Sequence, residues 1–342
     1  MVAAPVILEV FSMNPNQLLF LSAADVRRAL PMREAVEVMK TAFAALSAGE
    51  AVVPLRSHLT ASKHQGALLL MPCYLPSADA LSLKAVTVFD GNPARGLPRV
   101  QALVTLYDGS TGQPLAIMDG TSLTALRTGA ASGAATDLLA RRDASTVAIL
   151  GAGAQGRTQL EAVCSVRTIQ TAWVFDAHSM AAEAYAKEMS AATGVTIVAA
   201  ASATEAVREA DIICAATSTK TPVFADTDLK PGVHINGVGS YHPTMQEIPM
   251  ETVLRARVVV DHRESALAEA GDLLVPIQEG RYSADRIAAE LGEIVSGSKL
   301  GRANAGEITF FKSVGVAIQD LAAASRIVSN AQRLGLGTLV QL

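Results

Sequence analysis

The chain has 342 residues, of which half are hydrophobic and 18% are charged, and its formal net charge is −4. This length allows two domains of ordinary size, and the apolar fraction provides a large core without help from disulfides. The lack of a basic excess argues against nucleic acid or a membrane as a partner. Three cysteines lie scattered in apolar runs, and residues 1–10 lack the pattern of a signal peptide. We therefore expect a cytoplasmic protein.

The first 128 residues predict helices followed by strands. Ser22 is the expected N-cap of one helix, and Pro31 opens a second helix that ends at Gly49. Turns rich in Gly, Pro, Asn and Asp then separate four apolar runs, which are residues 66–71, 81–89, 102–107 and 115–118. Short turns between strands favour an antiparallel sheet or half-barrel.

Residues 147–156, Val-Ala-Ile-Leu-Gly-Ala-Gly-Ala-Gln-Gly, predict a buried strand, a tight turn and the start of a helix. Gly151 lets the chain turn, Gly153 lets the backbone approach a pyrophosphate, and Gly156 lets helix and strand pack closely. A second strand ends in Asp176, about 20 residues later, where a carboxylate accepts the hydrogen bonds of an adenosine ribose. The arrangement therefore predicts a dinucleotide site.

The region after Asp176 alternates helices and strands. Together with the first two strands it gives about six, as is typical of a parallel doubly wound sheet; the later ones are residues 195–198, 212–216, 233–238 and 258–261. Ligands of such sheets lie beyond the carboxyl ends of the strands. The loops at residues 216–218 and 237–240 should therefore border the cofactor. A helix over residues 316–334 closes the chain.

Three cations stand out because their surroundings are apolar: Arg56, Lys84 and Arg127. Two arginines suit a bidentate grip on a carboxylate, and a desolvated lysine can transfer protons. Each of them could instead form a structural ion pair or extend along the surface. The six histidines lack metal-ligand spacing, so we expect no metal site.

Several ordered motifs resemble the ornithine cyclodeaminase/mu-crystallin family over nearly the whole chain. They are residues 54–58, 70–72, the strand with Lys84, and residues 125–128, 151–156, 234–239 and 311–315. The resemblance implies an α/β homodimer in which a Rossmann doubly wound parallel sheet is inserted into an α+β substrate-binding and dimerisation domain. On this basis residues 1–128 and 308–342 form the substrate domain, and residues 129–307 form the NAD(P)-binding domain.

The resemblance also implies nicotinamide-dependent amino- or imino-acid chemistry, with Arg56, Lys84 and Arg127 as the catalytic and substrate-binding residues. The turn, the loops and the resemblance together give the residues expected to bind the cofactor. They are Arg127, Thr128, Gly151, Gly153, Ala154, Gln155, Gly156, Asp176, Thr217, Ser218, Val238, Gly239, Ser240 and Ser313.

One loop departs from the cyclodeaminase pattern. Tyr241 stands where that branch has a catalytic aspartate, Met245 where it has a lysine, and Leu69 where it has a glutamate that accompanies ornithine. Without those carboxylates little would orient a distal ammonium group. The Gly-Ser-Tyr-x-Pro loop is more similar to family members that reduce cyclic ketimines, such as Δ1-pyrroline-2-carboxylate reductases.

The resulting prediction is reduction of Δ1-pyrroline-2-carboxylate to L-proline, or of the six-membered Δ1-piperideine-2-carboxylate to L-pipecolate. Arg56 and Arg127 would hold the carboxylate, and Lys84 or a water that it holds would protonate the imine nitrogen. Alternatives are an alanine or other amino-acid dehydrogenase of the family, then an ornithine cyclodeaminase, then a non-catalytic mu-crystallin-like protein that binds NADP(H).

The expected cofactor is NAD(H), with NADP(H) as the alternative. Asp176 would repel a 2′-phosphate, and the following residues, Ala177 and His178, provide no arginine to bind one.

Overall fold

The computed structural model describes residues 16–342, so residues 1–10 lie outside the described part. The chain divides into two compact units: the first ends at Arg127 and resumes at Val316, and the second is Thr128–Gly315. Within residues 16–342 no helix is long and apolar enough to cross a membrane.

The first unit is built on a mostly antiparallel sheet. Its strands are β1 (Gln17–Leu21), β2 (Ser57–Ala61), β3 (Gly66–Leu75), β4 (Ala80–Phe89), β5 (Val100–Asp108), β6 (Pro114–Asp119) and β15 (Thr338–Gln341). Their order is β15-β1-β6-β5-β4-β3-β2, and all neighbours are antiparallel except β1 and β6. The four predicted strands are present, and β1, β2 and β15 were not predicted because they are short and carry no clear turn signal.

The helices of the first unit begin where the sequence predicts. They are α1 (Ala23–Ala29), α2 (Met32–Ser47) and α11 (Ala317–Leu334), and α3 (Gly120–Leu139) crosses into the second unit. The Ser22 hydroxyl accepts the Asp25 N–H, while the Asp25 carboxylate accepts the Ser22 N–H. Helix α11 packs on strands β3, β4 and β5 and on α2, and its Ala-rich stretch permits this close packing.

The second unit is a parallel sheet. Its strands are β7 (Thr146–Leu150), β8 (Thr171–Phe175), β9 (Thr196–Ala199), β10 (Ile212–Ala215), β11 (His234–Gly237), β12 (Arg257–Val260), β13 (Ala289–Glu290) and β14 (Thr309–Lys312). The order β13-β12-β14-β11-β10-β7-β8-β9 reverses direction between β7 and β10. This reversal is the switch point at which doubly wound sheets bind ligands, so the predicted fold class is confirmed.

Helices cover both faces of this sheet. They are α4 (Ala154–Val166), α5 (Ser179–Thr193), α6 (Ala203–Arg208), α7 (Met250–Arg255), α8 (Arg263–Glu269), α9 (Gly271–Gln278) and α10 (Leu291–Val295). Along β7, Val147 and Ile149 join a core with α4 and α5, while Ala148 and Leu150 join a core with α6 to α9. A strand covered on both faces is apolar throughout, which explains the continuous apolar run before the turn.

Two expectations need correction. The sheet has eight strands where about six were predicted. The two-residue β13 is too short to be predicted from the sequence, and β14 overlaps the motif at residues 311–315, which was not interpreted as a strand. The sequence placed the return to the first unit at residue 308, whereas the structure places it at Val316. The reason is that β14 pairs between β11 and β12 in the parallel sheet.

Candidate active site

The glycines of the turn after β7 meet different local requirements. Gly151 has φ +102°, and a Cβ there would lie 2.7 Å from the Ala216 carbonyl oxygen. A Cβ on Gly156 would collide with the Gly151 carbonyl oxygen, so helix α4 can pack against the turn only without a side chain. Gly153 differs from both, since no atom lies within 4 Å of the position of a Cβ. The turn thus leaves open space beside Gly153, where a side chain would take up room suited to a ligand.

The start of α4 and the end of β8 lie next to this turn. Gly153 is the N-cap of α4 and provides no side-chain acceptor, so the first N–H groups of the helix are available to an anion. The buried Oε1 atom of Gln155 has no hydrogen-bond partner among the described residues. Asp176 accepts the N–H of Ala152 at 2.9 Å and the N–H of His178 at 2.9 Å. Its carboxylate is therefore fixed beside the turn.

The predicted loops all extend from one edge of the sheet. Thr217 and Ser218 follow β10, Val238 follows β11, and Ser313 follows β14, and these strands are parallel neighbours of one another or of β7. Thr128 is buried, and its carbonyl accepts the side-chain amide of Gln159 at 3.3 Å. Apart from Arg127, which belongs to the first unit, the structure places every residue predicted to bind the cofactor in the second unit.

These residues fit a dinucleotide. The open turn suits a pyrophosphate, and a carboxylate at the end of the second strand suits ribose hydroxyls. Asp176 is followed by Ala177 and the exposed His178, so no arginine stands directly after β8.

A buried ionic cluster lies in the first unit. Lys84 on β4 contacts Asp320 on α11, with 2.7 Å between Nζ and Oδ2, and their side chains are 2% and 0% exposed. Arg127 on α3 donates from Nε to Asp320 Oδ1 at 3.0 Å and from Nη1 to Gln319 Oε1 at 2.9 Å. Asp320 thus uses one oxygen for each cation, and Gln319 fixes the plane of the guanidinium group.

Burial lowers the pKa of Lys84 to about 7. The charges of Arg127 and Arg56 act in the same direction, and Asp320 opposes them. Arg56, immediately before β2, is thus within electrostatic reach of Lys84. The buried thiol of Cys73 on β3 has its pKa raised to about 12 by burial and by the Asp320 charge, so it is neutral. Near neutral pH, Lys84 is the member of the cluster that can gain or lose a proton.

Asp320 and Gln319 were not among the site residues predicted from the sequence. A signal existed, since Asp320 is the only charged residue between Val314 and Ser325. The same reasoning that selected Arg127 would have found it.

The histidines show no metal-binding arrangement, and no group of three or more His, Cys, Asp or Glu in residues 16–342 could hold a metal ion. His234 is buried between Thr309 and Asn236, and burial lowers its pKa to about 3. It lies at the start of β11, at the sheet edge opposite the loops.

The fold and the two groups of residues define a nucleotide-binding α/β protein with a separate buried cationic cluster. The profile of the ornithine cyclodeaminase/mu-crystallin family matches residues 16–334. The chain belongs to this family.

Similar proteins include several with a stated activity. A Δ1-pyrroline-2-carboxylate reductase of Bacillus cereus is 41% identical over 325 residues, which cover 95% of this chain and all of the relative. The structure of Thermococcus litoralis Δ1-pyrroline-2-carboxylate reductase with NADH and L-proline has a TM-score of 0.91 at 44% identity and covers 94% of this chain and 99% of its own. An archaeal alanine dehydrogenase dimer with bound NAD has a TM-score of 0.89 at 34% identity and covers 95% and 99%.

Proposed function

We propose that this chain is an NAD(P)H-dependent reductase of cyclic ketimines and that Δ1-pyrroline-2-carboxylate is its substrate. The observation that carries the proposal is the buried Lys84–Asp320–Arg127 cluster, which offers cationic groups to a carboxylate and a protonating group to an imine. Full-length similarity to reductases of this type supports it. The first unit would bind the imino acid, and the second would bind the nicotinamide cofactor.

In this proposal each residue of the cluster has a distinct role. Arg127 has Nε and Nη1 engaged by Asp320 and Gln319, so Nη2 is the group that would bind the substrate carboxylate, with Arg56 as the second cation. Lys84 donates the proton that makes the imine nitrogen cationic. Its burial keeps bulk water from competing for that proton. A bound nicotinamide cofactor would supply the hydride to the imine carbon, which gives the amine.

NAD(H) is the proposed cofactor. The carboxylate of Asp176 is held at the end of β8 by two backbone N–H groups, a position from which it would accept ribose hydroxyls and repel a 2′-phosphate. Two similar structures contain NADH or NAD. A lower Michaelis constant for NADPH than for NADH would contradict this choice.

A homodimer is the proposed assembly. On the sheet face opposite Lys84, Leu59 and Leu103 are 65% and 54% exposed, and Leu68, Leu70 and Ala85 lie between them. An apolar sheet face of this kind suits a second copy of the chain, and the similar archaeal alanine dehydrogenase is a dimer. The unpaired cysteines fit the reducing cytoplasm as the location.

Alanine dehydrogenation is a second candidate, favoured by the 34% identity to the archaeal enzyme. Both reactions need a cationic grip on a carboxylate, and they differ in whether the C=N bond is preformed in a ring. Cyclodeamination of ornithine is disfavoured because Tyr241 and Met245 replace the acidic and basic residues of that branch, and the Met245 side chain is buried.

The test compares loss of NADH absorbance with Δ1-pyrroline-2-carboxylate and with pyruvate plus ammonia. L-Ornithine with NAD, assayed for proline and ammonia, serves as the third substrate. The proposal predicts rapid turnover of the cyclic imine and of neither other substrate. Faster turnover of pyruvate and ammonia would establish the dehydrogenase instead, and proline with ammonia from ornithine would establish the cyclodeaminase.

A further inference from the structure

A second buried carboxylate, Glu247, joins the two loops that extend from β10 and β11. Its Oε1 atom accepts the Thr217 N–H at 2.5 Å and the Thr217 hydroxyl at 2.8 Å. Its Oε2 atom accepts the N–H groups of Gly239 at 2.6 Å and Ser240 at 3.0 Å. The side chain is fully buried, so the backbone N–H groups of loops from two neighbouring strands share one carboxylate.

The shape of the loops depends on this contact. A Cβ on Gly239 would lie 2.5 Å from Glu247 Oε1 and would collide with the Thr217 carbonyl oxygen. Glycine at this position therefore lets the two loops and the carboxylate approach each other. Glycine is needed here for lack of space and not for its backbone conformation, because Gly239 does not have a positive φ.

Glu247 is itself held by a second buried pair. Asp272, in the first turn of α9, accepts the backbone N–H groups of Glu247 at 2.7 Å and Ile248 at 3.0 Å through Oδ1. Its Oδ2 atom contacts Nζ of Lys312, on β14, at 3.0 Å, and both side chains are fully buried. Burial raises the pKa of Glu247 and the charge of Asp272 adds to this effect, whereas the charge of Lys312 and hydrogen bonds from Thr217 oppose it. The four donors around Glu247 favour the ionised form.

We propose that Glu247, supported by Asp272 and Lys312, is a positioning residue that sets the spacing of the two cofactor-binding loops. The inference rests on the proposed function, because those loops are assigned to the cofactor there. Glu247 touches neither the substrate cluster nor the dinucleotide turn. Its effect should therefore fall on cofactor affinity, while imino-acid binding is unchanged.

Glu247→Gln tests the proposal because glutamine has one acceptor where glutamate has two. Since both oxygens accept backbone N–H groups, the new NH2 group must face at least one donor, and that loop must move. Loss of a buried charged acceptor predicts a dissociation constant for NADH that is raised on the order of tenfold. Glu251→Gln, an exposed residue on α7, is the matched control and should bind NADH as the unaltered protein does.

Two measurements separate this inference from the proposed function. Trp173 is the single tryptophan of the chain and lies on β8, so quenching of its fluorescence by NADH reports binding without turnover. Hydrogen–deuterium exchange without cofactor reports protection of the amides of Thr217, Gly239 and Ser240. We expect faster exchange in at least one of these loops in Glu247→Gln, together with a raised Michaelis constant for NADH and an unchanged constant for the imino acid.

Each outcome decides a different point. Equal NADH affinity and equal exchange in Glu247→Gln would overturn the inference and leave the reductase proposal intact. A lower turnover number with unchanged Michaelis constants would also overturn it, since that pattern indicates a smaller folded fraction. If Glu247→Gln does not fold, Thr217→Val removes one donor, and a dissociation constant equal to that of the unaltered protein would overturn the inference. If NADH does not quench the Trp173 fluorescence of the unaltered protein, the proposed function itself is overturned.

Discussion

Asp320 gives Lys84 and Arg127 a shared counter-charge inside the first unit. Taking two cations and one anion out of water is costly, and the arrangement persists because each carboxylate oxygen is paired at 2.7 Å or 3.0 Å. Two cationic side chains share this one carboxylate, and in the proposed function they would receive the carboxylate of an anionic substrate.

Lys84→Ala tests the proton donor. Loss of a positioned general acid should lower the turnover number by at least about a hundredfold. Lys187→Ala, an exposed residue on α5, should leave turnover unchanged. Near-normal turnover of the Lys84 variant, measured by loss of NADH absorbance, would remove Lys84 from the mechanism.

Asp320→Asn tests the electrostatics through the pH profile. Asp320 raises the pKa of Lys84 against the effects of burial and the two arginines, so its loss should lower that pKa further. Because the protonated amine is the donor, turnover should fall as pH rises through about 7 in the unaltered protein and at a lower pH in the variant. Asp285→Asn, exposed in the second unit, is the control. Identical profiles for the Asp320 variant and the unaltered protein would refute the assignment.

At the scale of elements, the turn between β7 and α4 contains one glycine needed for packing and another proposed to make room for the cofactor. Gly156 is needed because its neighbours leave no room for a Cβ, whereas the space beside Gly153 is open. The two glycines therefore have different reasons to be there, although the sequence pattern presents them alike.

Alanine substitution should separate these roles. Gly153→Ala should keep the melting temperature of the cofactor-free protein and raise the dissociation constant for NADH about tenfold or more, because the methyl group enters the open space in which the pyrophosphate is proposed to bind. Gly156→Ala should lower the free energy of unfolding by about 1–3 kcal/mol through overpacking. Thermal melts and Trp173 quenching measure both effects. Normal NADH affinity in Gly153→Ala would show that the cofactor does not bind beside Gly153.

Sequence reasoning found the turn because its requirements are local. Strand, glycines and helix start occur within ten residues, and Asp176 follows at a spacing set by one helix and one strand. It did not find Asp320, which contacts Arg127 at a separation of 193 residues in the sequence. It also did not find Glu247, which accepts the Thr217 N–H at a separation of 30 residues. The isolated charge of Asp320 in an apolar stretch could have marked it as a candidate, but its partners, like those of Glu247, are decided by how elements pack and are not encoded in a local pattern.

At the scale of the whole molecule, the apolar face of the first sheet predicts self-association. Leu103→Asp places a charge on that face and should convert the dimer to a monomer, because burying an unpaired carboxylate in an apolar interface costs several kcal/mol. Leu300→Asp, 64% exposed in the second unit, should remain dimeric. Sedimentation equilibrium measures both masses. A dimeric Leu103 variant, or a monomeric unaltered protein, would contradict this interface.

The measurement that tests the central claim most directly is the fate of deuterium carried at C4 of the nicotinamide ring. Each of the two stereoisomers of the deuterated NADH is incubated with the enzyme and Δ1-pyrroline-2-carboxylate, and the product is analysed by mass spectrometry and chiral chromatography. The proposed reduction predicts L-proline with one deuterium at Cα from one stereoisomer and none from the other. Proline without deuterium from both, or no proline at all, would contradict the assignment of this chain as a ketimine reductase.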